Sequence, residues 1–490
     1  MARCLLLLVL LCLANPLPAT WSIILINILT GEIAVGSATC LANFDLRRYT
    51  PVILVGKGAA TAQSYVDSSG RNRQLMLAEF MKNTHPSQIL ALLAKQDNIH
   101  QWRQYGIVDT RGRALSFTGN RANAWAGGVT GKIGNIVYAI QGNILTGSAV
   151  VTDAEKAIKN TAGDLAQKLM AGMLAARAKG GDGRCSRYNK SAHVGYMIIA
   201  RQGDKDGSQC NASVGCATGT YYMNLNVIGG TTSQDPVLTL QTLHNNWRKQ
   251  WLGRPDHNLS TVDLPTKSLP ADGITMTTAR LTLRDIGRTQ LKQGGAKITI
   301  ALDKTSTAQL TVGQVTDHKD GTYSFTLKAG TTAGLAHLRV TVTDSKGPVL
   351  LSPRTTIPVT SDKLWASVAQ LRVTTGGNID FVLNQGKANA QKPYLLLASN
   401  SGTTPGIRWA PNLVFPLNPD AVFGAVVVGA LNNSLPGFLG TLDAAGRKTI
   451  RLTMPPGAYL LPVNTNLHFA YGLVSPVGNF SRAVPVRLVK

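Results

Sequence analysis

Between residues 21 and 39 apolar and β-branched side chains dominate, broken only at Thr30-Gly31. That pattern predicts a hairpin, Trp21 to Ile28 and Glu32 to Thr39, with glycine at the reversal. Pro51 to Val55 predicts a third strand ending at Gly56-Lys57-Gly58. Apolar residues then recur at helical spacing over Arg73 to Lys82 and over Ser87 to Lys95, the latter with Ser87 as cap. A second hairpin follows, Trp102 to Val108 and Ala114 to Thr118 around Asp109-Thr110-Arg111-Gly112, and Ile136 to Gln141 is a strand running into Gly142-Asn143. Thr152 to Lys179 reads as one long helical region, stopped by Gly180-Gly181. Ala192 to Ala200 returns to strand, and Asp235 to Trp251 is amphipathic, with Leu240, Leu243 and Trp247 on its apolar side. Strands in hairpins alternating with helices predict an α+β unit in which helices cover antiparallel sheets.

The rhythm changes after the Pro- and Gly-marked stretch 263–273, which reads as a linker. Residues 274–360 are short alternating runs rich in Thr, Val and Leu, separated by turns such as Asp320-Gly321. That is the cadence of a β-sandwich. Residues 361–490 repeat the all-β cadence, with breaks at Gly376-Gly377 and Pro455-Pro456-Gly457, and hold no cluster of titratable residues. The expected organisation is therefore 20–262, a linker at 263–273, 274–360 and 361–490.

The first nineteen residues stand apart. Arg3, the apolar run Leu5 to Leu13 and Leu17-Pro18-Ala19 have the layout of a secretory signal peptide with cleavage after Ala19. The run is too short to span a bilayer at about 20 residues, and no later stretch reads as transmembrane, so a secreted or cell-surface protein is expected. Cys4 and Cys12 would leave with the leader. Cys40, Cys185, Cys210 and Cys216 would remain, an even number that permits disulfides in an oxidising compartment. Gly215 lets the loop between Cys210 and Cys216 close, which favours that bridge, with Cys40 to Cys185 as second choice. A zinc site would need a second closely spaced Cys or His pair, so no metal is expected. Asp204-Lys205-Asp206-Gly207-Ser208 resembles a calcium loop but lacks the closing carboxylate.

Charge narrows the partners. The chain carries 49 Lys and Arg against 25 Asp and Glu, a formal +24. Residues 20–262 hold 25 basic and 14 acidic side chains, so the excess is spread rather than confined to one tail. With aromatics at 6% there is no basic stripe interleaved with rings, and a nucleic-acid partner is not expected. An anionic cell-surface polymer fits the diffuse charge better.

Leader removal would make Thr20 the first residue, with an α-amine and a hydroxyl on neighbouring carbons. An unperturbed α-amine has a pKa of about 7.7–8.0, so it can take the proton of its own hydroxyl near neutral pH. Nucleophile and base then reside in one residue. No Gly-x-Ser-x-Gly elbow, His-Glu-x-x-His pair or Walker loop competes with it in the mature chain.

Several tags lie in order along 20–262. They are Thr20-Trp21-Ser22-Ile23, Gly31-Glu32, Thr61-Ala62-Gln63-Ser64, Trp102 to Asp109, Phe117-Thr118-Gly119, Trp125-Ala126-Gly127, Gln141 to Leu145 and Gly180 to Arg184. With these the region resembles a bacterial family of unknown function grouped with the N-terminal-nucleophile hydrolases. The resemblance implies a four-layer αββα sandwich and an amide-bond hydrolase that needs no cofactor. Its substrate would be a small peptide, an acylated amine or a cell-wall fragment. In that frame Thr20 attacks, Asn143 donates to the oxyanion, Lys57 depresses the amine pKa by like charge, and Asp182 orients the amine. Gln63 and Arg103 would hold polar groups of the substrate. After the Gly180 to Asp182 tag the sequence departs from the family pattern, with Cys185 to Asn189 inserted before Lys190-Ser191-Ala192. Residues 274–360, with Asp320 to Phe325 and Ala329 to Gly334, resemble a bacterial Ig-like repeat. The last module, with Leu439 to Asp443 and Asn464 to Tyr471, resembles one appended to large secreted bacterial proteins. The rival reading is a non-catalytic surface-binding or adhesion protein on the same scaffold.

Overall fold

The computed structural model describes residues 20–431, 433–457 and 462–490. The expected signal peptide lies outside the described residues. The chain divides into two compact units, the first closing at Trp251 and the second beginning at Leu252.

In the first unit the elements are β1 (Thr20–Asn27), β2 (Ile33–Thr39), β3 (Pro51–Leu54), β4 (Gly58–Ser64), α1 (Arg71–Met81), α2 (Pro86–Gln96), β5 (Arg103–Asp109), β6 (Ala114–Thr118), β7 (Gly127–Ile133), β8 (Ile136–Asn143), α3 (Ala149–Asn160), α4 (Leu165–Ala178), β9 (Val194–Ala200), β10 (Met223–Val227) and α5 (Pro236–Trp251). They build a six-stranded sheet, β10-β9-β2-β1-β8-β7, and a four-stranded sheet, β3-β4-β5-β6, with every pairing antiparallel.

The strand period of two sorts β1 between two cores. Trp21, Ile23 and Leu25 pack with Leu169 and Met173 of α4 and Leu240 of α5. Ile24 and Ile26 face the other way, against Ile53, Ala59 and Val108 of the smaller sheet. The outer face of that sheet, through Ala60, Ala62 and Ile107, is covered by Met76 and Phe80 of α1 and Ile89 and Leu93 of α2. A strand buried on both faces reads as a continuous apolar run, which is why β1 showed no alternation.

Three expectations change. The long helix is two, because Gly163 turns at φ 112° and Asp164 caps α4, exchanging hydrogen bonds with Gln167. Helix α2 is capped by His85 rather than Ser87, with Pro86 in its first turn. Strands β4 and β7 escaped notice because Gly58-Ala-Ala-Thr-Ala and Gly127-Gly-Val-Thr-Gly carry few strand-favouring side chains.

Among its described residues the second unit is all-β apart from the short helix Ala421–Val427 and the 3-10 turn Lys387–Asn389. Thr261–Asp263 pairs with Met276–Thr282, and Leu269–Pro270 with Thr355–Thr360, so the stretch expected to be a linker contributes strands to the first β module. Alternating burial along Gly334–Asp344 and Thr322–Ala329 places Leu338, Val340, Tyr323 and Phe325 inside. The last module closes its core around Phe381, Phe469, Tyr394 and Tyr471. No helix among the described residues is long and apolar enough to cross a membrane.

Candidate functional site

The start of β1 lies between the ends of two strands. Thr20 pairs with Asn143 at the end of β8, and since Trp21 pairs with Ala38, Thr39 of β2 flanks Thr20 on the other side. The Thr20 nitrogen donates to Asn143 Oδ1 at 3.2 Å. Thr20 Oγ1 is buried and has no hydrogen-bond partner among the described residues. In the 490-residue chain, with residues 1–19 still attached, Thr20 is 1% exposed.

Beneath Thr20 the two sheets meet through a polar seam. Gln63 of β4 donates through Nε2 to the Thr20 carbonyl and to Gln104 Oε1, each at 2.8 Å, and accepts through Oε1 from the Ser22 hydroxyl. Ser22 also meets Ser37 Oγ at 2.8 Å, and Ser37 donates to the Trp21 carbonyl at 2.8 Å. Gln104 Nε2 reaches the Gly142 carbonyl at 2.8 Å and Thr118 Oγ1 at 2.9 Å, while Gln141 Nε2 donates to Thr61 Oγ1 at 2.7 Å. Most buried polar groups are paired, and these bonds tie β1 to the second sheet.

The segment after β8 is held in an unusual shape. Ile144 has φ 51°, a left-handed conformation that a β-branched residue rarely adopts. It is pinned by its N–H to the Asn123 carbonyl at 3.0 Å and by the Gly183 N–H to its own carbonyl at 2.9 Å. Such strain is kept where the surroundings over-determine it, commonly beside functional sites.

Gly181, at φ 57°, carries the chain round to Asp182, and a Cβ there would strike the Ser191 carbonyl oxygen at 2.7 Å. Asp182 is fully buried, accepting from the Cys40 N–H at 2.7 Å and from Arg184 Nη2 at 2.8 Å. Arg184 Nη2 in turn reaches Thr39 Oγ1 at 3.4 Å. Asp182 therefore braces the strand end beside Thr20 through Cys40 and Thr39. Its contacts are with these groups and not with the Thr20 nitrogen.

Two candidates fall elsewhere, and their expected roles are corrected. Lys57 stands at the far end of β4 from Gln63, about 20 Å away at the strand rise of about 3.3 Å per residue. Its Nζ donates to Asn83 Oδ1 at 2.9 Å, so it exerts no like-charge effect on Thr20. Arg103 is spent on structure. It makes a buried ion pair with Asp97 at 2.7 Å and donates to the Tyr65 carbonyl, and the residue is buried, so its contacts are structural ones. Burial pulls the Asp97 pKa up, but the hydrogen bonds from Arg103 and Asn72 and the guanidinium charge outweigh it and hold the carboxyl below its usual range. Thr20, Asn143 and Gln63 are brought together. Ser22, Ser37, Gln104 and Gln141 are the members not anticipated, and their signal was present: polar residues at inward positions of strands otherwise made of Ile, Val and Ala.

Asn143 turns its acceptor oxygen, not a donor, toward Thr20. Among the described residues no His, Lys, Asp or Glu bonds the Thr20 hydroxyl. The expected Cys210–Cys216 and Cys40–Cys185 disulfides are both formed.

Residues 20–215 match the model of a family described as a family of unknown function, DUF1028, and residues 256–351 match that of invasin domain 3. Among solved structures, a protein of Silicibacter pomeroyi assigned to DUF1028 is 18% identical, covering 46% of this chain and 88% of its own, with a TM-score of 0.36. The Yersinia pseudotuberculosis adhesin InvE is 20% identical over 48% of this chain and 60% of its own, TM-score 0.20. Invasin, described as a bacterial integrin-binding protein, is 12% identical over 96% of this chain and 60% of its own, TM-score 0.20. No curated protein matches. The first unit thus carries a region of the DUF1028 type and the second a region of the invasin-domain-3 type.

Proposed function

We propose that this chain is an extracytoplasmic binding protein of adhesin type, in which the two β modules of the second unit engage a cell-surface partner. The match of residues 256–351 to invasin domain 3 carries this reading. Two disulfides suit an oxidising compartment, and +24 of formal charge favours encounter with anionic surfaces. The full chain, fluorescently labelled, should bind intact cells saturably and keep part of that binding at 0.5 M salt, where diffuse charge attraction is screened to about 4 Å. Binding that never saturates, or that vanishes with salt as polylysine binding does, would refute it.

A second reading has one observation behind it: Thr20 heads β1 with its nitrogen on Asn143 Oδ1 and its hydroxyl unpartnered. On an N-terminal-nucleophile scaffold of αββα type, cleavage after Ala19 frees the amine. The amine takes the Oγ1 proton, Oγ1 attacks an amide carbonyl, the amine product leaves with that proton, and water releases the acyl group. The substrate class is a small peptide, an acylated amine or a cell-wall fragment. Intact mass of the exported protein should begin at Thr20, and an acylating probe should add mass to residue 20 in wild type and not in Thr20→Ala. Any other first residue ends this reading.

A further inference from the structure

Beside the Thr20 strand end, the Cys40–Cys185 disulfide joins the residue after β2 to the 3-10 turn Gly183–Tyr188. His193, just before β9, stands against it. Thr39 pairs with Val194 across β2 and β9, which sets Cys40 and His193 at the adjoining position of the same ladder. A ring nitrogen of His193 and the two sulfurs all lie within 4.8 Å of one another. His193 is 2% exposed, and its Nδ1 is buried with no hydrogen-bond partner among the described residues. A buried polar atom left unpaired is costly. The imidazole is nonetheless held in place, its backbone N–H on the Thr39 carbonyl at 2.9 Å and its ring against Tyr188 at 4.9 Å between centroids.

We propose that the Cys40–Cys185 bond closes a latent metal site, and that on reduction Cys40, Cys185 and His193 together take a borderline-soft divalent cation of the zinc class. Zinc holds thiolate at about 2.3 Å and imidazole at about 2.0–2.1 Å in a tetrahedron, so its donor atoms stand about 3.4–3.8 Å apart. The His193 nitrogen already stands within 4.8 Å of both sulfurs, and the sulfurs, bonded at 2.05 Å, must separate by about 1.7 Å once the S–S bond opens. Two thiolates balance the charge of the ion, in a field at His193 to which Lys190, Arg184, Arg187 and the opposing Asp182 contribute. Two Cys and one His leave a fourth position for water or a ligand. The chemistry closes: a dithiol gives two electrons and two protons to the disulfide and becomes a disulfide itself. The two cysteine thiols then release two protons as the cation binds. Sequence spacing excluded metal because its ligands, at 40, 185 and 193, meet only when β2 and β9 pair.

The test uses the full chain carrying Cys4→Ser, Cys12→Ser, Cys210→Ser and Cys216→Ser, so that the Cys40–Cys185 thiols are alone, reduced with a non-chelating phosphine and titrated with Co(II). The reduced protein should take one equivalent with thiolate-to-cobalt charge-transfer absorption, the oxidised protein none, and His193→Ala or His193→Gln should bind at least about tenfold more weakly with shifted visible bands. Absence of the band in reduced protein that keeps its circular dichroism, an unchanged band in both His193 variants, or unfolding on reduction would each overturn the proposal.

Discussion

Replacing Gln63 by Leu tests whether the polar seam holds β1 in place. Gln63 is 1% exposed, so water cannot substitute for its amide. The change strands two buried acceptors, the Thr20 carbonyl and Gln104 Oε1, and removes the acceptor of the Ser22 hydroxyl, which still keeps Ser37. Each stranded group costs about 1–3 kcal/mol, and relaxation of Gln104 toward Thr118 recovers part of it, so the loss should be about 2–4 kcal/mol. In a unit of this size one kcal/mol moves the midpoint by about 2–4 °C, which gives a fall of about 4–16 °C. Urea unfolding followed by tryptophan fluorescence reads it, since Trp21 is buried within the same unit. The second unit supplies a transition that should not move. A loss below about 1 kcal/mol, or an equal shift in both transitions, would show that the seam does not fix the strand.

Other outcomes follow from the same geometry. The Asp97 carboxyl is held below its unfolded value, so it stabilises the fold above about pH 4 and that contribution is lost as pH falls through the lower folded value. Asp97→Asn should therefore cost about 3–5 kcal/mol at pH 7, by leaving Arg103 buried without its partner, and should flatten the acid limb of the stability profile. In Gly106→Ala the new Cβ would press into the Gln141 amide, and urea denaturation should show a loss of about 1–3 kcal/mol. Lys57→Ala removes a bond to Asn83 remote from β1. It should cost less than about 1 kcal/mol and leave probe labelling at Thr20 unchanged; altered labelling would restore an electrostatic role.

Most of the first unit was legible because its apolar runs are long and its turns carry glycine. The β1-β2 hairpin and β8 show as apolar runs, and α1, α2 and α5 by helical spacing. What stayed hidden depends on partners distant in sequence. Nothing local in Gly58 to Ser64 marks a central strand; it becomes one because β5 and β3 flank it and α1 covers its outward alanines. Lys57 looked well placed between two glycines at a strand end, but only the register of β4 against β5 shows which end. Asp97, six residues before Arg103, carried no mark as its partner, because the pairing arises only where the turn after α2 folds back on β5.

A scaffold kept only for packing would gain from apolar residues at the seam, since replacing fully buried polar pairs by hydrophobic side chains of similar volume is often neutral or stabilising. Here Ser22, Ser37, Gln63, Gln104 and Gln141 converge instead on one strand end, and Ile144 beside it carries strain. That arrangement holds the head of β1 in one position. The invasin-like match lies wholly in the other unit. The two readings are therefore separable in one molecule: Thr20→Ala should abolish labelling and leave cell binding intact, whereas a loss of both would mean that adhesion itself runs through the head of β1.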